Sequence, residues 1–230
     1  MRPEPKRLHP IYSELKQNHY WLPHQLSRTK IHEVQADWIR TSDWALAKTY
    51  GQDYTHSFSA TLRATSLRLF LAIAAGKKLS IDQFDVTNAF TQADIDTEVY
   101  VEPPAGFETI GKDGKPQILK LRKALYGTKQ ASRLWQQRLR DRLVELGFKQ
   151  SKHDPCLFRY TSECGECLVA CYVDDLLCAT SSPAMYKWFS EQFIQSDSNP
   201  SGFRAKHLGK ASWFLGMAID QFADFSISVN

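Results

Sequence analysis

The 230-residue chain has no apolar run that could cross a membrane. Its longest, Leu69 to Ala75, is far short of the roughly 20 residues a spanning helix needs. No apolar core follows the charges of the first ten residues, so no secretory signal is expected. There is no internal repeat and no low-complexity tract. Cysteine is scarce and odd in number: Cys156, Cys164, Cys167, Cys171 and Cys178. That excludes a fully paired disulfide framework and fits a reducing compartment. Cys164-x-x-Cys167 with Cys171 opens like a zinc motif, yet no four-ligand spacing follows and the next histidine is His207. Small apolar cysteines in and around a hairpin are the better reading. Charge of one sign is also scarce. The 29 Lys and Arg against 25 Asp and Glu leave a net +4, by itself a weak case for an anionic partner.

Aromatics, by contrast, are plentiful: 13 Phe, 9 Tyr and 6 Trp, with 43% hydrophobic and 23% charged residues overall. A disordered chain is poor in aromatics, and this length can bury a sizeable core. The charge is also unevenly spread. Asp82, Asp85, Asp94, Asp96, Glu98 and Glu102 fall in a stretch without Lys or Arg. Lys120, Arg122, Lys123, Lys129, Arg133, Arg138, Arg140 and Arg142 follow against the single acid Asp141. Two readings stand: cation chemistry next to polyanion binding, or two solvated surfaces.

Periodicity divides the chain into mixed elements. Residues 1–30 read as an irregular arm with a short helix at 10–17. Ala60 to Ala75 is apolar almost all round, as in a buried helix, with Gly76 as its C-cap. Alternation from Leu79 predicts a strand ending near Asp85, and Val99 to Val101 a second, stopped by Pro103-Pro104. A turn over 111–116 leads to a strand at 117–121. Residues 129–146 form an amphipathic helix ended by Gly147, with most of its arginines off the apolar stripe. Cys156–Tyr160 and Leu168–Val173 flank Gly165 as a hairpin. Pro183 opens a helix to about Gln195, 196–202 is a loop, and Ala211–Ile219 is an apolar strand. Without strict βαβ alternation, the fold class is α+β with an antiparallel sheet.

The chemistry lies in the carboxylates. Tyr172-Val173-Asp174-Asp175 puts two adjacent acids inside an apolar strand pair, which is costly unless a cation or proton neutralises them. A bare Asp-Asp is more often an ordinary turn. Asp85 shifts the balance, because it ends an apolar strand and precedes the turn-prone Thr87-Asn88-Ala89. Phosphoryl transfer needs two or three carboxylates from separate strands to hold two Mg²⁺ ions about 4 Å apart. Mg²⁺ keeps several waters, so few protein ligands suffice.

Seven ordered blocks then resemble the reverse transcriptase domain of copia-type (Ty1/copia) LTR retrotransposons. They are Gly51-Gln-Asp-Tyr-Thr-His-Ser-Phe-Ser59; Gln83-Phe-Asp-Val-Thr-Asn-Ala-Phe90; Glu98-Val-Tyr-Val-Glu-Pro-Pro-Ala-Gly-Phe107; Leu121-Arg-Lys-Ala-Leu-Tyr-Gly-Thr-Lys-Gln-Ala-Ser-Arg-Leu-Trp135; Asp154-Pro-Cys-Leu-Phe158; Tyr172-Val-Asp-Asp175; and Phe214-Leu-Gly216. The resemblance implies a polymerase palm, an antiparallel sheet backed by helices, with a partial, degenerate fingers region and little thumb. It sets a divergent arm at 1–43, the fingers and palm at 44–220 and a truncated end at 221–230.

By the same resemblance, Asp85 and Asp174 bind both metals, with Asp175 as the third carboxylate and the Val86 carbonyl completing one shell. The ions are two Mg²⁺, for which Mn²⁺ could substitute. Phe90 matches the aromatic steric gate that favours dNTPs, where the residue alone reads as a core aromatic. Gly127, Lys129 and Gln130 match the dNTP- and template-contacting loop, and Lys48 a residual triphosphate contact. Phe214, Leu215, Gly216 and Met217 match the primer-grip hairpin that aims the primer 3′-OH. Lys120, Arg122, Lys123, Arg133, Arg138 and Arg142 would track nucleic-acid phosphates; the last three could equally be a solvated helix face. The implied partners are an RNA or DNA template with primer and dNTPs, with no membrane. The implied setting is a virus-like particle in the cytoplasm, or the nucleus. RNase H and integrase segments of a Pol polyprotein are not in this chain.

The pattern also departs from the family. The upstream fingers strand is lacking, and only Trp44–Tyr50 is similar to it. Thr128 stands for the usual Leu, Ser132 for Pro, and His207-Leu-Gly for Asp-Leu-Gly. Two further readings therefore stand beside the polymerase: a catalytically inactive or domesticated remnant that binds nucleic acid or a partner, and a metal-dependent phosphatase or nuclease. The last would leave Phe90 and the Phe214 block unexplained.

Overall fold

The computed structural model describes residues 56–101, 110–111 and 119–230. The 1–43 arm, its 10–17 helix, Lys48 and the turn over 112–116 lie outside the described residues.

Two compact units are distinguished, and the larger comprises 59–92 and 135–230. Its centre is a six-stranded antiparallel sheet ordered β4-β5-β6-β7-β1-β8. The strands are β1 (Ser80–Val86), β4 (Lys149–Gln150), β5 (Leu157–Ser162), β6 (Gly165–Tyr172), β7 (Asp175–Thr180) and β8 (Ala205–Lys210). Strand residues alternate between faces. On one face Ile81, Leu168, Ala170, Leu177 and Ala179 join Leu67, Phe70, Leu71 and Ala74 of helix α1 (Ala64–Gly76) in one apolar cluster. On the other, Phe84 meets Phe189 and Phe193 edge-on, 5.6 and 5.9 Å away, in helix α3 (Pro183–Phe193). Phe148, just past helix α2 (Ala131–Glu145), also packs on Phe189 at 5.8 Å. Burial on both faces explains why β1 lacks a clean alternation of buried and exposed residues.

The apolar segment after β8 is a hairpin where a single strand over Ala211–Ile219 was expected. Strands β9 (Trp213–Phe214) and β10 (Met217–Gln221) pair across Leu215 and Gly216, both at positive φ (51° and 78°). Two central residues of that kind make the hairpin turn whose twist matches its strands. Strand β11 (Ile227–Val229) completes a three-stranded sheet. The Gln221 amide fastens this sheet to the large one: it accepts from the Ile81 N–H (3.0 Å) and donates to the Leu79 carbonyl (2.8 Å).

The smaller unit holds 56–58, 93–101, 110–111 and 119–134 among the described residues. Strands β2 (Tyr100–Val101) and β3 (Leu119–Lys120) pair antiparallel. Here the two charged sequence segments meet. Lys123 pairs with Asp94 (2.7 Å), Lys120 with Glu98 and Arg133 with Asp96. The segregation along the chain is thus in part a set of matched ion pairs. Such exposed pairs add little stability.

Helix ends were less legible. Gly76 is the last residue of α1 and not its cap; the left-handed position falls on Lys78 (φ 54°). At the N-terminus of α1, Arg63 makes no side-chain cap. The cap comes from far along the chain. Asp154, buried, accepts from the Arg63 amide (3.2 Å) and the Cys156 amide (2.9 Å). Burial pushes its carboxyl up, but bonds from Ser66, Cys156 and Arg63 outweigh it and leave the group below its ordinary value. The Asp154 block is therefore a clamp on α1.

Among the described residues no helix is long and apolar enough to cross a membrane. The cysteines are free; Cys156, Cys167, Cys171 and Cys178 are buried and Cys164 is exposed, with no zinc-like cluster among the described residues.

Asp154→Ala is expected to cost about 1–3 kcal/mol at pH 7, since it strands buried amides and removes an anion from a helix start. A depressed carboxyl stabilises fully above its ordinary 3.8 and loses that effect as pH falls through its lower folded value. Urea denaturation should therefore show the difference from wild type shrinking below pH 4. A constant difference would remove the clamp reading.

Candidate active site

The ladder between β1 and β7 sets the site. Asp85 lies directly opposite Asp175, with Gln83 opposite Leu177 and Ile81 opposite Ala179. Like charges facing each other across a ladder oppose pairing. The apolar rows behind them hold the register. Asp82 is also on β1 but at an odd offset, so the pleat sends it to the other face. There the Lys210 ammonium neutralises it at 2.9 Å, and the His207 ring nitrogen lies within hydrogen-bond distance at 3.1 Å. The acid run of the sequence therefore delivers Asp85 alone to the site from among its described members.

The Asp-Asp pair closes the β6–β7 hairpin. Tyr172 pairs with Asp175, and Val173 and Asp174 form the turn. Val173 sits at φ 55°, left-handed backbone that a β-branched residue seldom adopts. Two bonds hold the turn. The Val86 N–H of β1 donates to the Asp174 carbonyl (2.8 Å), and the buried Trp135 indole N–H donates to the Val173 carbonyl (2.6 Å). Neither the ordinary-turn reading nor the clustered-carboxylate reading excludes the other: the pair is at a turn, and Asp85 stands beside it.

Burial pushes the Asp174 carboxyl above its ordinary value, and Asp85 adds to the rise. Asp175 is raised by burial, then by Asp174 and Asp85, against a hydrogen bond from Gln83. These are mutually repelling oxygen donors, which a hard divalent cation relieves. Among the described residues no three His, Cys, Asp or Glu side chains are already gathered as a metal cluster. Carboxylate oxygens are the donor type that a hard cation such as Mg²⁺ takes, together with water of its own.

The other expected residues divide. Phe90 is half-buried in a short 3₁₀ turn (Ala89–Gln92) directly after β1. That turn is fixed by Gln92, which donates to the Thr87 carbonyl (2.8 Å) and accepts from the Arg204 amide (2.9 Å). Phe214 is buried in the same cluster as Ile81 and Leu177, on the carboxylate face, with Leu215 and Met217 half-buried against it. In the smaller unit Gly127 (φ 88°) and Lys129 are exposed, while Gln130 is buried and donates to Thr97 (3.0 Å).

Several basic residues have other work. Lys120, Lys123 and Arg133 are matched by carboxylates, and Arg122 is exposed. Arg138 lies over the Phe203 ring at 5.5 Å. Arg142 is buried, donating to Glu145 (2.9 Å), the Gln192 carbonyl (3.0 Å) and Asn199 (3.2 Å). It ties α2 to the end of α3 and is not available to a phosphate.

Two neighbours of the site were not legible. Lys206 lies opposite Asp85 on β8, an exposed polar edge strand without apolar alternation. Trp135 read as one more member of an apolar stripe; its polar atom gave no sequence signal.

A carboxyl raised in the folded state binds its proton more tightly than in the unfolded chain. Stability then falls as pH rises from the ordinary 3.8 through the raised value, and the penalty is complete above it. Asp174→Asn should therefore melt higher than wild type at pH 7, with the gain vanishing as pH falls toward 4. A variant that melts lower at every pH would contradict this electrostatic account.

With this geometry stand the relatives. Residues 28–229 match the family model described as reverse transcriptase (RNA-dependent DNA polymerase). The chain is 38% identical over 218 residues to the Retrovirus-related Pol polyprotein from transposon RE1 of Arabidopsis thaliana, covering 87% of this chain and 14% of that protein. It is 35% identical over 170 residues to the Pol polyprotein from transposon TNT 1-94 of Nicotiana tabacum, covering 74% and 12%. It is 33% identical over 147 residues to the putative transposon Ty5-1 protein of Saccharomyces cerevisiae, covering 64% and 45%. The chain spans only a small fraction of the two plant polyproteins it matches. It belongs to the reverse transcriptase family of copia-type retrotransposon Pol polyproteins.

Proposed function

We propose that this chain is the catalytic part of an RNA-directed DNA polymerase, adding dNTPs to a primer 3′-OH on an RNA or DNA template. The observation that carries the reading is the row of Asp85 opposite Asp175, with Asp174 tied to β1 through the Val86 amide. In this reading 44–220 forms fingers and palm, with the six-stranded sheet as palm.

Asp85 and Asp174 would hold two Mg²⁺ ions, or Mn²⁺, with Asp175 and the Val86 carbonyl in support. Bound there, the ions would supply activation of the 3′-OH and charge neutralisation on the triphosphate. The protein's own part is orientation. The β1–β7 ladder fixes the spacing of the carboxylates, and no side-chain nucleophile is required. The half-buried Phe90 ring follows the Asp85 strand end on a braced turn, suited to excluding a ribose 2′-OH. The Phe214–Met217 hairpin shares the carboxylate face, suited to aiming a primer terminus. Gly127 and Lys129, both exposed, would meet the incoming nucleotide, with Gln130 buttressing their loop. Arg122 and Arg138 remain as candidate phosphate contacts, joined by Lys120, Lys123 and Arg133 if their carboxylate partners yield. The work site would be a virus-like particle or the nucleus.

Primer extension on an RNA template tests the reading. Wild type should incorporate dNTPs only with Mg²⁺ or Mn²⁺, and Asp174→Asn or Asp85→Asn should lose at least about a hundredfold while remaining folded. Salt-sensitive nucleic-acid binding without any metal-dependent incorporation would instead support the non-catalytic remnant.

The gate has its own test. Phe90→Ala should admit ribonucleotides, raising their incorporation relative to dNTPs by about tenfold or more. Unchanged selectivity would leave Phe90 as a core residue.

A further inference from the structure

Asp174 is flanked by two peptide groups, and each is tied to a different element. The peptide after it offers its carbonyl to the Val86 N–H of β1 (2.8 Å). The peptide before it offers the Val173 carbonyl to the Trp135 indole (2.6 Å). Together the two bonds restrain both backbone torsions of Asp174 and so the direction of its carboxylate. The first bond continues the strand pairing. The second has no such backing and bears on a residue in unfavourable backbone: Val173 at φ 55°.

Trp135 itself is immobile. It is buried, and its ring meets Phe203 edge-on at 5.0 Å. Phe203 is buried and fixed by its own backbone, its N–H donating to the Phe193 carbonyl (2.7 Å) and its carbonyl accepting from Gln195 (2.8 Å). An indole N–H can only donate, and a buried one needs an acceptor. Nothing in packing demands that this acceptor be the carbonyl next to a catalytic carboxylate.

We infer that Trp135 is a positioning residue. Its N–H holds the strained Val173 peptide in the conformation that aims Asp174 at Asp85, so that the α2 helix presets the carboxylate spacing before any ligand arrives. The activity arm of the test rests on the polymerase reading; the exchange arm does not.

Trp135→Phe keeps a buried aromatic and removes the donor. Replacing Trp135 by benzothienylalanine keeps the ring shape and removes only the N–H, which covers the case in which Phe packs poorly. In either variant, hydrogen exchange at the Val86 amide should accelerate while the Ala170 amide, inside the β6–β7 ladder, keeps its protection. Primer extension should lose about ten- to a hundredfold in kcat, with the dNTP and primer KM little changed. Adding Val173→Gly, which tolerates positive φ, should restore part of the kcat. Equal loss of protection at Val86 and Ala170 would mean a merely structural role and overturn the inference. So would unchanged exchange at both amides, or a kcat equal to wild type. If wild type shows no incorporation, the polymerase reading fails, and the exchange at Val86 still decides the role of Trp135.

Discussion

Everything at the site depends on the register between β1 and β7. With side chains alternating faces, a slip of one residue would turn Asp85 to the face packed on α3 and bring Phe84 or Val86 opposite Asp175 in its place. Apolar pairs on both faces prevent this: Ile81 with Ala179 on one, Phe84 with Leu176 on the other. Those rows are buried on both faces, one under α1 and the small sheet, the other under α2 and α3. The half-buried ends of the same strands then carry what the core will not tolerate. Asp85 and Asp175 repel each other at the last rung, and the ladder behind them absorbs that repulsion.

The charge pattern takes on a sharper meaning in this light. Along the chain it offers an acid block and a basic block. In space most described acids of that block find cations: Asp82 with Lys210, Asp94 with Lys123, Asp96 with Arg133, Glu98 with Lys120. Asp85 is distinguished by lying instead beside two more carboxylates, whose acidity burial weakens first and the neighbouring charges weaken further. A net charge of +4 says nothing about this. Structural ion pairs and a carboxylate cluster contribute the same acids to a composition and opposite electrostatics to a fold.

Legibility in the sequence followed the strength of local patterning. The central strands, the three helices and the hairpin around Gly165 carry strong periodic or turn signals, and the Asp-Asp pair stood out because acids are costly in an apolar run. β8 did not, since an exposed edge strand of Lys, His and Gly has no apolar rhythm. Periodicity hid the β9–β10 hairpin for the converse reason: Phe214-Leu-Gly is apolar enough to read straight through, and only the family resemblance at Phe214–Met217 implied a hairpin there. Long-range roles were the least visible. Asp154 caps a helix some ninety residues upstream, and Arg142 bonds a carbonyl in the last turn of α3 and the Asn199 amide oxygen beyond it. Neither partner could be named from spacing.

The division into two units bears on what the carboxylates require. Asp85, Asp174, Asp175, Phe90, Trp135 and the Phe214 hairpin all belong to the larger unit, which has its own core. Gly127, Lys129 and Gln130 belong to the smaller. The groups read as chemical and those read as nucleotide-contacting are therefore supported by different packing. The β1–β7 ladder, the small sheet stapled by Gln221 and the Trp135 bond all lie within the larger unit. On this arrangement the carboxylate geometry is a property of one core. It is set by apolar pairing, a strained turn and an indole N–H before any substrate is bound.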